Sequence, residues 1–247
     1  MPRRFLSMIL LFALGFTLTA CMGDDDDDDG AASPASDVSA EEVLESARTA
    51  WDETETAHFV LDVDGDAYLD EDETIKLDSA EGDIKRPGAV KATASVDAQI
   101  SVVDISLVAV DGEIFITNIL SGNWERAPED FSYDPSVLFS DSDGIGPIMT
   151  DLQDPVVNGS ESVDGQSAHR VTGTVSADRV EDITAGTIEG DDIDVTLWIS
   201  EEDSRLLRVV LTEPEGVRDS PATWTLNLTD HNDDVEIDVP TLQSRMP

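Results

Sequence analysis

Residues 107–116, LVAVDGEIFI, contain the strongest fold signal in the chain, because two apolar runs are joined there by Asp111 and Gly112. Asp-Gly is a favoured two-residue turn between antiparallel strands, since both turn positions adopt positive φ. The pattern predicts a β-hairpin whose strands cover residues 100–110 and 113–119. The first strand has apolar residues at consecutive positions, such as Leu107 and Val108. Both faces of this sheet are therefore expected to be covered or to line a cavity.

Shorter strand-like runs with partial alternation lie on both sides of the hairpin. They cover residues 58–63, 74–77, 90–96, 168–175, 192–200, 205–212 and 222–229. Apolar residues at helical spacing follow an N-capping Ser39 and predict a helix over residues 39–53. Short helices are predicted at residues 134–139, 145–152 and 177–183. The order of helix, strands, helices and strands predicts an α+β fold with a large antiparallel sheet.

The N-terminus has the layout of a secretory signal over residues 1–20. Arg3 and Arg4 precede an apolar core that is too short for a comfortable bilayer-spanning helix. The residues Leu-Thr-Ala-Cys at 18–21 resemble a lipobox, at which a diacylglycerol is attached to the sulfur of Cys21. Cys21 is the single cysteine of the chain, and lipidation explains an odd cysteine in an exported protein. The alternatives are an ordinary signal peptide that ends near a cysteine, or an uncleaved anchor.

The chain is strongly acidic: 14 Lys and Arg residues face 55 Asp and Glu residues, a formal net charge of −41. This charge repels nucleic acid and argues against nucleic-acid binding. Six consecutive aspartates lie within residues 21–38, which lack apolar periodicity and are predicted to form a disordered tether. Residues 39–240 are then predicted to form one domain, followed by a tail at 241–247.

Six segments follow one another in an informative order. After the hairpin come Asn123-Trp124, YDPSVL at 133–138, Gly144-Ile145, VDGQSA at 163–168, VTGTVSAD at 171–178 and TLWI at 196–199. With the lipobox in front, this ordered set resembles the LppX/LprAFG-type (LprG-like) lipoprotein family over roughly residues 39–230. The resemblance implies a curved antiparallel sheet, or half-barrel, with helices packed across its concave face and an apolar cavity between them. The loops are more acidic than the family pattern, and residues 181–192 look like an insertion.

The resemblance implies that the protein carries lipids or lipidated glycans and is held at the extracytoplasmic face of the cell membrane through Cys21. Such a carrier needs no catalytic group and no cofactor, but an exposed acyl chain costs about 25 cal/mol per Å2 and needs an apolar pocket. The sequence leaves open which strand parity faces the cavity, and it identifies no membrane transporter as a partner. The predicted lining consists of apolar residues from the strands and helices: Val60, Val102, Val108, Ile114, Ile116, Leu138, Phe139, Ile145, Ile148, Leu152, Leu197, Ile199 and Val209.

Residues 62–73, DVDGDAYLDEDE, support a different interpretation as a calcium loop. Oxygen ligands fall at positions 1, 3, 5, 9 and 12 of that loop, the spacing that calcium loops use: Asp62, Asp64, Asp66, Asp70 and Glu73. Position 6 is Ala67 where the turn favours glycine, so an acidic hairpin loop is the preferred interpretation. The alternative function is a structural or interaction lipoprotein with a filled core, modulated by calcium.

An enzyme is not predicted. The three histidines, His58, His169 and His231, lie in no HExxH, nucleophile-elbow or metal-ligand spacing.

Overall fold

The computed structural model describes residues 38–69, 73–128, 131 and 133–242. The predicted signal, Cys21 and nearly all of the predicted tether lie outside these ranges, as do Asp70 and residues 243–247. Within the described residues, no helix has both the length and the apolar character that a bilayer crossing requires.

The first half of the fold is one helix followed by strands. These elements are α1 (Ala40–Asp52), β1 (Thr56–Asp64), β2 (Lys76–Lys85), β3 (Ala89–Asp97), β4 (Val102–Val110), β5 (Glu113–Thr117) and β6 (Trp124–Arg126). The second half begins with short helices and continues with strands. These elements are the 3₁₀ helix η1 (Pro135–Phe139), α2 (Ile145–Asp151), β7 (Gln153–Val163), β8 (Gln166–Ser176), α3 (Ala177–Val180), β9 (Asp192–Ser200), β10 (Leu206–Thr212) and β11 (Thr223–Thr229).

The strands form an 11-stranded antiparallel sheet in the order β6-β5-β4-β3-β2-β1-β11-β10-β9-β8-β7. Strands β1–β6 are the N-terminal meander and β7–β11 the C-terminal meander, because successive strands are neighbours within each. The pairing of β1 with β11 joins the two meanders, with His58 opposite Thr229 and Asp64 opposite Thr223. The predicted α+β class with a large antiparallel sheet is confirmed.

Several local predictions are also confirmed. The β4–β5 hairpin turns at Asp111 and Gly112, whose φ angles are 54° and 75°. Helix α1 begins after Ser39, whose hydroxyl accepts a hydrogen bond from the backbone N–H of Glu42. The predicted helix at 134–139 forms as the 3₁₀ helix η1, with the Asp134 side chain accepting from the N–H of Ser136.

Other strand predictions were too short or missing. Strand β2 extends to Lys85, although its second half is rich in Ala, Gly and Asp, which are weak strand formers. It forms a strand there because β1 and β3 pair with it on both sides. Strand β7 was not predicted because it contains Pro155 and Gly159; it lies at the sheet edge, where proline is tolerated.

The helices cover one face of the sheet. Helix α1 packs against α2 and contacts β7 and β10, whereas η1 contacts β3 and α3 contacts β8. The ring of Phe139 packs on Trp51 with centroids 5.1 Å apart, and the Arg86 guanidinium lies 4.4 Å from the centroid of the same ring. Arg86 also donates hydrogen bonds to the carbonyl oxygens of Trp51 and Thr54. The helical cover is therefore fixed to the sheet by both apolar and polar contacts.

Candidate ligand-binding cavity

An apolar cavity of about 320 Å3 lies between the sheet and its helical cover. Strands β1–β5, β10 and β11 contribute to its wall, so the sheet curves around it. The cover consists of η1, α2, residues 183–185 after α3, and the two aromatic residues Phe131 and Tyr133. This volume lies at the lower end of the range of roughly 300–1,000 Å3 that ligand pockets occupy.

Small side chains on β2 and β3 create the space. The residues that face the cavity there include Ala80, Ala92 and Ala94. These alanines stand next to one another across the strands, because Ala94 pairs with both Ala80 and Ile105. A leucine or isoleucine at these positions would fill much of the cavity, so the empty volume follows directly from the sequence of β2 and β3.

Five of the predicted lining residues lie at the cavity wall. Ile116 comes from β5, Val209 from β10, Leu138 from η1, and Ile145 and Ile148 from α2. The helical residues reach the wall because α2 buries Ile145, Gly146, Pro147, Ile148 and Met149.

Three other predicted lining residues lie on the opposite face of the sheet. In β1 the buried positions are Phe59, Leu61 and Val63, so Val60 faces the other way. In β4 the wall residues are Ile105 and Leu107, and alternation places Val102 and Val108 on the outer face. Val102 is 60% exposed, whereas Val108 is buried opposite Phe115 of β5.

The remaining predicted residues lie away from the cavity wall. They pack in the hydrophobic core: Ile114, Phe139, Leu152, Leu197 and Ile199. Phe139 is displaced from the wall by its contact with Trp51, and Leu197 and Ile199 belong to β9, which contributes nothing to the wall.

Most of the residues that the strands contribute to the cavity wall were not among the predicted lining residues. The missed residues include Phe59, Leu61, Leu107, Leu211 and Trp224. A usable signal existed in β3, where VKATASV places Val90, Ala92, Ala94 and Val96 on alternate positions. Apolar alternation with two small residues at its centre indicates an inward face that leaves space.

Polar atoms at the wall are few. The Tyr133 hydroxyl donates to the carbonyl of Ile183 over 3.4 Å, and burial raises the pKa of Tyr133, so the phenol stays protonated. The Thr184 hydroxyl donates to the carbonyl of Val180 over 2.8 Å. Trp224 differs, because its buried indole N–H donates to no group among the described residues.

A second, more polar cleft of about 680 Å3 adjoins the cavity and shares Tyr133 and Ala185 with it. It lies between η1 and the segment after α3. Its lining contains three carboxylates, Asp134, Glu181 and Asp182, together with the hydroxyls of Ser136 and Ser140.

The candidate calcium ligands that the structure describes, Asp62, Asp64, Asp66 and Glu73, do not form a cluster. Asp62 and Asp64 lie in the extended strand β1, and Asp70 is outside the described residues. Where the chain is described, no group of three or more His, Cys, Asp or Glu side chains is placed to hold a metal ion.

The three histidines occupy separate places. His58 Nδ1 lies 2.9 Å from a carboxylate oxygen of Asp83, and His169 Nδ1 lies 3.5 Å from one of Glu201. His231 Nε2 lies 3.0 Å from the carbonyl oxygen of Leu206.

An open antiparallel sheet with a helical cover over an apolar cavity is an arrangement that can enclose a small apolar ligand. The LppX_LprAFG lipoprotein family model matches residues 39–237, and the chain belongs to this family.

Relatives of known name are similar along nearly the whole chain. The lipoarabinomannan carrier protein LprG of Mycobacteroides abscessus is 28% identical over 236 residues, which cover 95% of this chain and 96% of LprG. Lipoprotein LprA of Mycobacterium tuberculosis is 26% identical over 225 residues, 89% of each chain.

Two crystal structures share the fold. LprF from Mycobacterium bovis superposes with a TM-score of 0.65 at 20% identity, covering 81% of this chain and 96% of LprF. LppX of Mycobacterium tuberculosis superposes with a TM-score of 0.58 at 19% identity, covering 82% of this chain and all of LppX.

Proposed function

We propose that this protein is a membrane-anchored lipid carrier that binds an acyl chain of a lipid or lipidated glycan in its apolar cavity. The observation that supports the proposal is the 320 Å3 cavity, whose wall is made almost entirely of aliphatic and aromatic side chains. Family membership supports it further, because a relative that aligns over 95% of this chain is named a lipoarabinomannan carrier.

The cavity volume limits the length of chain that it can take. A methylene group is about as large as a water molecule, which occupies roughly 30 Å3. The cavity of about 320 Å3 therefore has room for at least about ten methylenes, and burying ten of them would contribute about 8 kcal/mol. One acyl chain matches this volume better than a ligand with several chains.

The polar cleft beside the cavity is suited to the headgroup. It shares Tyr133 and Ala185 with the cavity, so a chain bound inside would leave its polar end close to Asp134, Glu181 and Asp182. Carboxylates repel phosphate but accept hydrogen bonds from sugar hydroxyls, and serine hydroxyls both donate hydrogen bonds to sugar hydroxyls and accept hydrogen bonds from them. An uncharged, hydroxyl-rich headgroup is therefore the better match.

One polar atom at the cavity wall would help to orient the ligand. The indole N–H of Trp224 is buried and donates to no described group, and an ester carbonyl is the acceptor that an acyl lipid supplies. We expect Trp224→Phe to weaken the binding of esterified lipids more than that of free hydrocarbon chains.

Native mass spectrometry of protein purified from its own membrane tests the proposal. We expect co-purifying acyl lipid at close to one molecule per chain in the wild type. Ala94→Phe should remove it, because the added ring fills the cavity from the centre of β3. Thr93→Phe is the matched control, since Thr93 is exposed on the other face of the same strand. Empty wild-type protein, or equal lipid content in both variants, would overturn the proposal.

The anchor on Cys21 is a separate part of the proposal. A lipobox cysteine receives two or more acyl chains, which hold a protein stably at a membrane where one chain does not. We expect Cys21→Ser to move the protein from the membrane fraction to the soluble fraction, with lipid content in the cavity unchanged. Intact-mass measurement of the wild type should show the added acyl groups.

A further inference from the structure

One end of the N-terminal meander carries exposed aliphatic side chains on three separate connections. Because neighbouring strands are antiparallel, the β1–β2, β3–β4 and β5–β6 connections all lie at this end of the sheet. Ile100 in the β3–β4 turn is 95% exposed, and Leu120 in the β5–β6 turn is 97% exposed. Val102 and Ile119 beside them are 60% and 55% exposed, and Leu69 in the β1–β2 connection is 44% exposed. These five residues are called the apolar tips.

The turns that present the tips are held by hydrogen bonds. In the β5–β6 turn the Asn118 side-chain oxygen accepts from the backbone N–H groups of Leu120 and Ser121, each over 3.1 Å. In the β3–β4 turn the Asp97 carboxylate accepts from the N–H of Gln99 over 2.9 Å, and Ala98 donates to the carbonyl of Ser101 over 3.1 Å. The exposed aliphatic side chains are thus fixed outward by ordered backbone.

The tips are continuous with the cavity. Among the described lining residues, Leu69 is the large apolar side chain that is also exposed to solvent. Its backbone N–H donates to the carbonyl of Ile75 over 2.8 Å, which fixes it at the same end as the other tips. Adjacent strands are about 4.8 Å apart, so the three connections form a row roughly 20 Å wide that ends at the cavity.

We infer that the apolar tips dock this protein on the surface of an uncharged lipid bilayer and direct the cavity toward it. The inference rests on the proposed carrier function and adds the surface through which cargo is exchanged. Isolated aliphatic side chains on separate turns do not form the continuous face of roughly 1,000 Å2 that a protein partner requires. A fluid bilayer accepts such side chains at any spacing, because each one enters the interface on its own.

The charge of the residues around the apolar tips determines which kind of bilayer they can approach. The turns at residues 98–101 and 118–123 contain no Lys or Arg, and the acids Glu73, Asp97 and Glu125 lie beside them. Anionic lipids would repel this end of the molecule, whereas zwitterionic or neutral lipids would not.

A polarity-sensitive fluorophore tests docking directly. The protein is acylated at Cys21 and held in donor vesicles, so a cysteine introduced elsewhere is its one free thiol. A label at Ser101→Cys should shift to the blue when phosphatidylcholine acceptor vesicles are added, and shift less with half phosphatidylglycerol. The same label at Gln166→Cys, which is exposed at the opposite end of the sheet, should not shift. Equal responses from the two labels would overturn the inference, whether or not the cavity contains lipid.

Transfer of a labelled acyl lipid from donor to acceptor vesicles tests the consequence. Ile100→Ser and Leu120→Ser should each slow transfer about tenfold, since each removes a large aliphatic side chain from the interface. Val156→Ser is the control, because Val156 is 53% exposed on the edge strand β7. Native mass spectrometry should show unchanged bound lipid in all three variants. Transfer at the wild-type rate in a variant that combines Ile100→Ser with Leu120→Ser would contradict the inference. Absence of bound lipid from the wild type would contradict the carrier function instead.

Discussion

The two meanders have the same antiparallel connectivity but different interiors. In the C-terminal meander, β9 directs Ile193, Val195, Leu197 and Ile199 inward, and each is at most 1% exposed. In the N-terminal meander, β2 and β3 place alanines at the corresponding depth, and the cavity lies against them. Side-chain volume on a few strands, rather than topology, therefore decides which part of this sheet is solidly packed and which part borders the cavity.

The largest effect is expected where the two meanders are joined. The Glu213 carboxylate is completely buried, lies 2.9 Å from the Arg218 guanidinium and accepts hydrogen bonds from the N–H groups of Glu189 and Ala222. Arg218 also donates to the carbonyl of Asp66 in the β1–β2 connection. This pair therefore ties the β10–β11 connection to the N-terminal meander.

Glu213→Ala should lower the free energy of unfolding by about 3–5 kcal/mol, because it removes the buried partner of Arg218 and leaves the buried N–H of Ala222 without its acceptor. Urea denaturation followed by circular dichroism measures the loss. Glu215→Ala is the control, since Glu215 is exposed in the same connection. A loss no larger than that of the control would show that the meanders do not depend on this pair.

Truncating one leucine in each meander compares the stability lost in the packed core with the stability lost at the cavity wall. Leu197→Ala should cost about 3 kcal/mol, because Leu197 is fully buried and its removal opens a new void. Leu107→Ala should cost only about 1 kcal/mol, since Leu107 is half-buried and already borders empty space. Equal losses in urea denaturation would mean that the cavity is filled in solution.

Larger side chains should also destabilise the packed core more than the cavity wall. Val195→Phe should destabilise the protein by about 1–3 kcal/mol, because β9 has no room for a ring. Ala94→Phe should leave the melting temperature of the lipid-free protein within a few degrees of the wild type, because the ring occupies existing space. Differential scanning calorimetry of lipid-free protein makes the comparison, and a large loss in Ala94→Phe would argue against the cavity.

The sequence predicted the sheet better than the site. The alternation of Asp192–Ser200 and the Asp-Gly turn at residues 111–112 specify strands and register locally, and both are confirmed. Strand β2 was mostly missed, because its middle residues form a strand only when β1 and β3 pair with it. Five lining residues were identified from their apolar character, but Val60 and Val108 lie on the outer face. Because β1 and β4 carry apolar residues on both faces, the sequence alone does not show which face lines the cavity. Tertiary packing decides it.

The smallest expected change in stability concerns the protonation of His231, which lies just after β11. Burial lowers the pKa of His231 below its usual value of 6.5, because the imidazolium would lose its hydration. The unfolded chain then binds a proton at a pH where the folded protein does not, so this residue stabilises the fold above about pH 6.5 and loses that contribution as the pH falls.

The stability difference between wild type and His231→Gln should therefore shrink between pH 7.5 and pH 5.5. Urea denaturation at the two pH values measures it. A difference that does not change with pH would show that His231 titrates alike in the folded and unfolded states.

The pairing of β1 with β11 has a consequence for how the chain folds. β1 is the first strand to emerge and β11 the last, so the open side of β1 has no partner until almost the whole chain is present. Contacts between residues so distant in sequence carry a loop-closure cost and slow folding. We expect each meander to form first from its local hairpins, with closure of the β1–β11 seam as the slow step. Until that step, β1 exposes an unpaired strand edge to aggregation, and the strong negative charge of the chain keeps such intermediates apart.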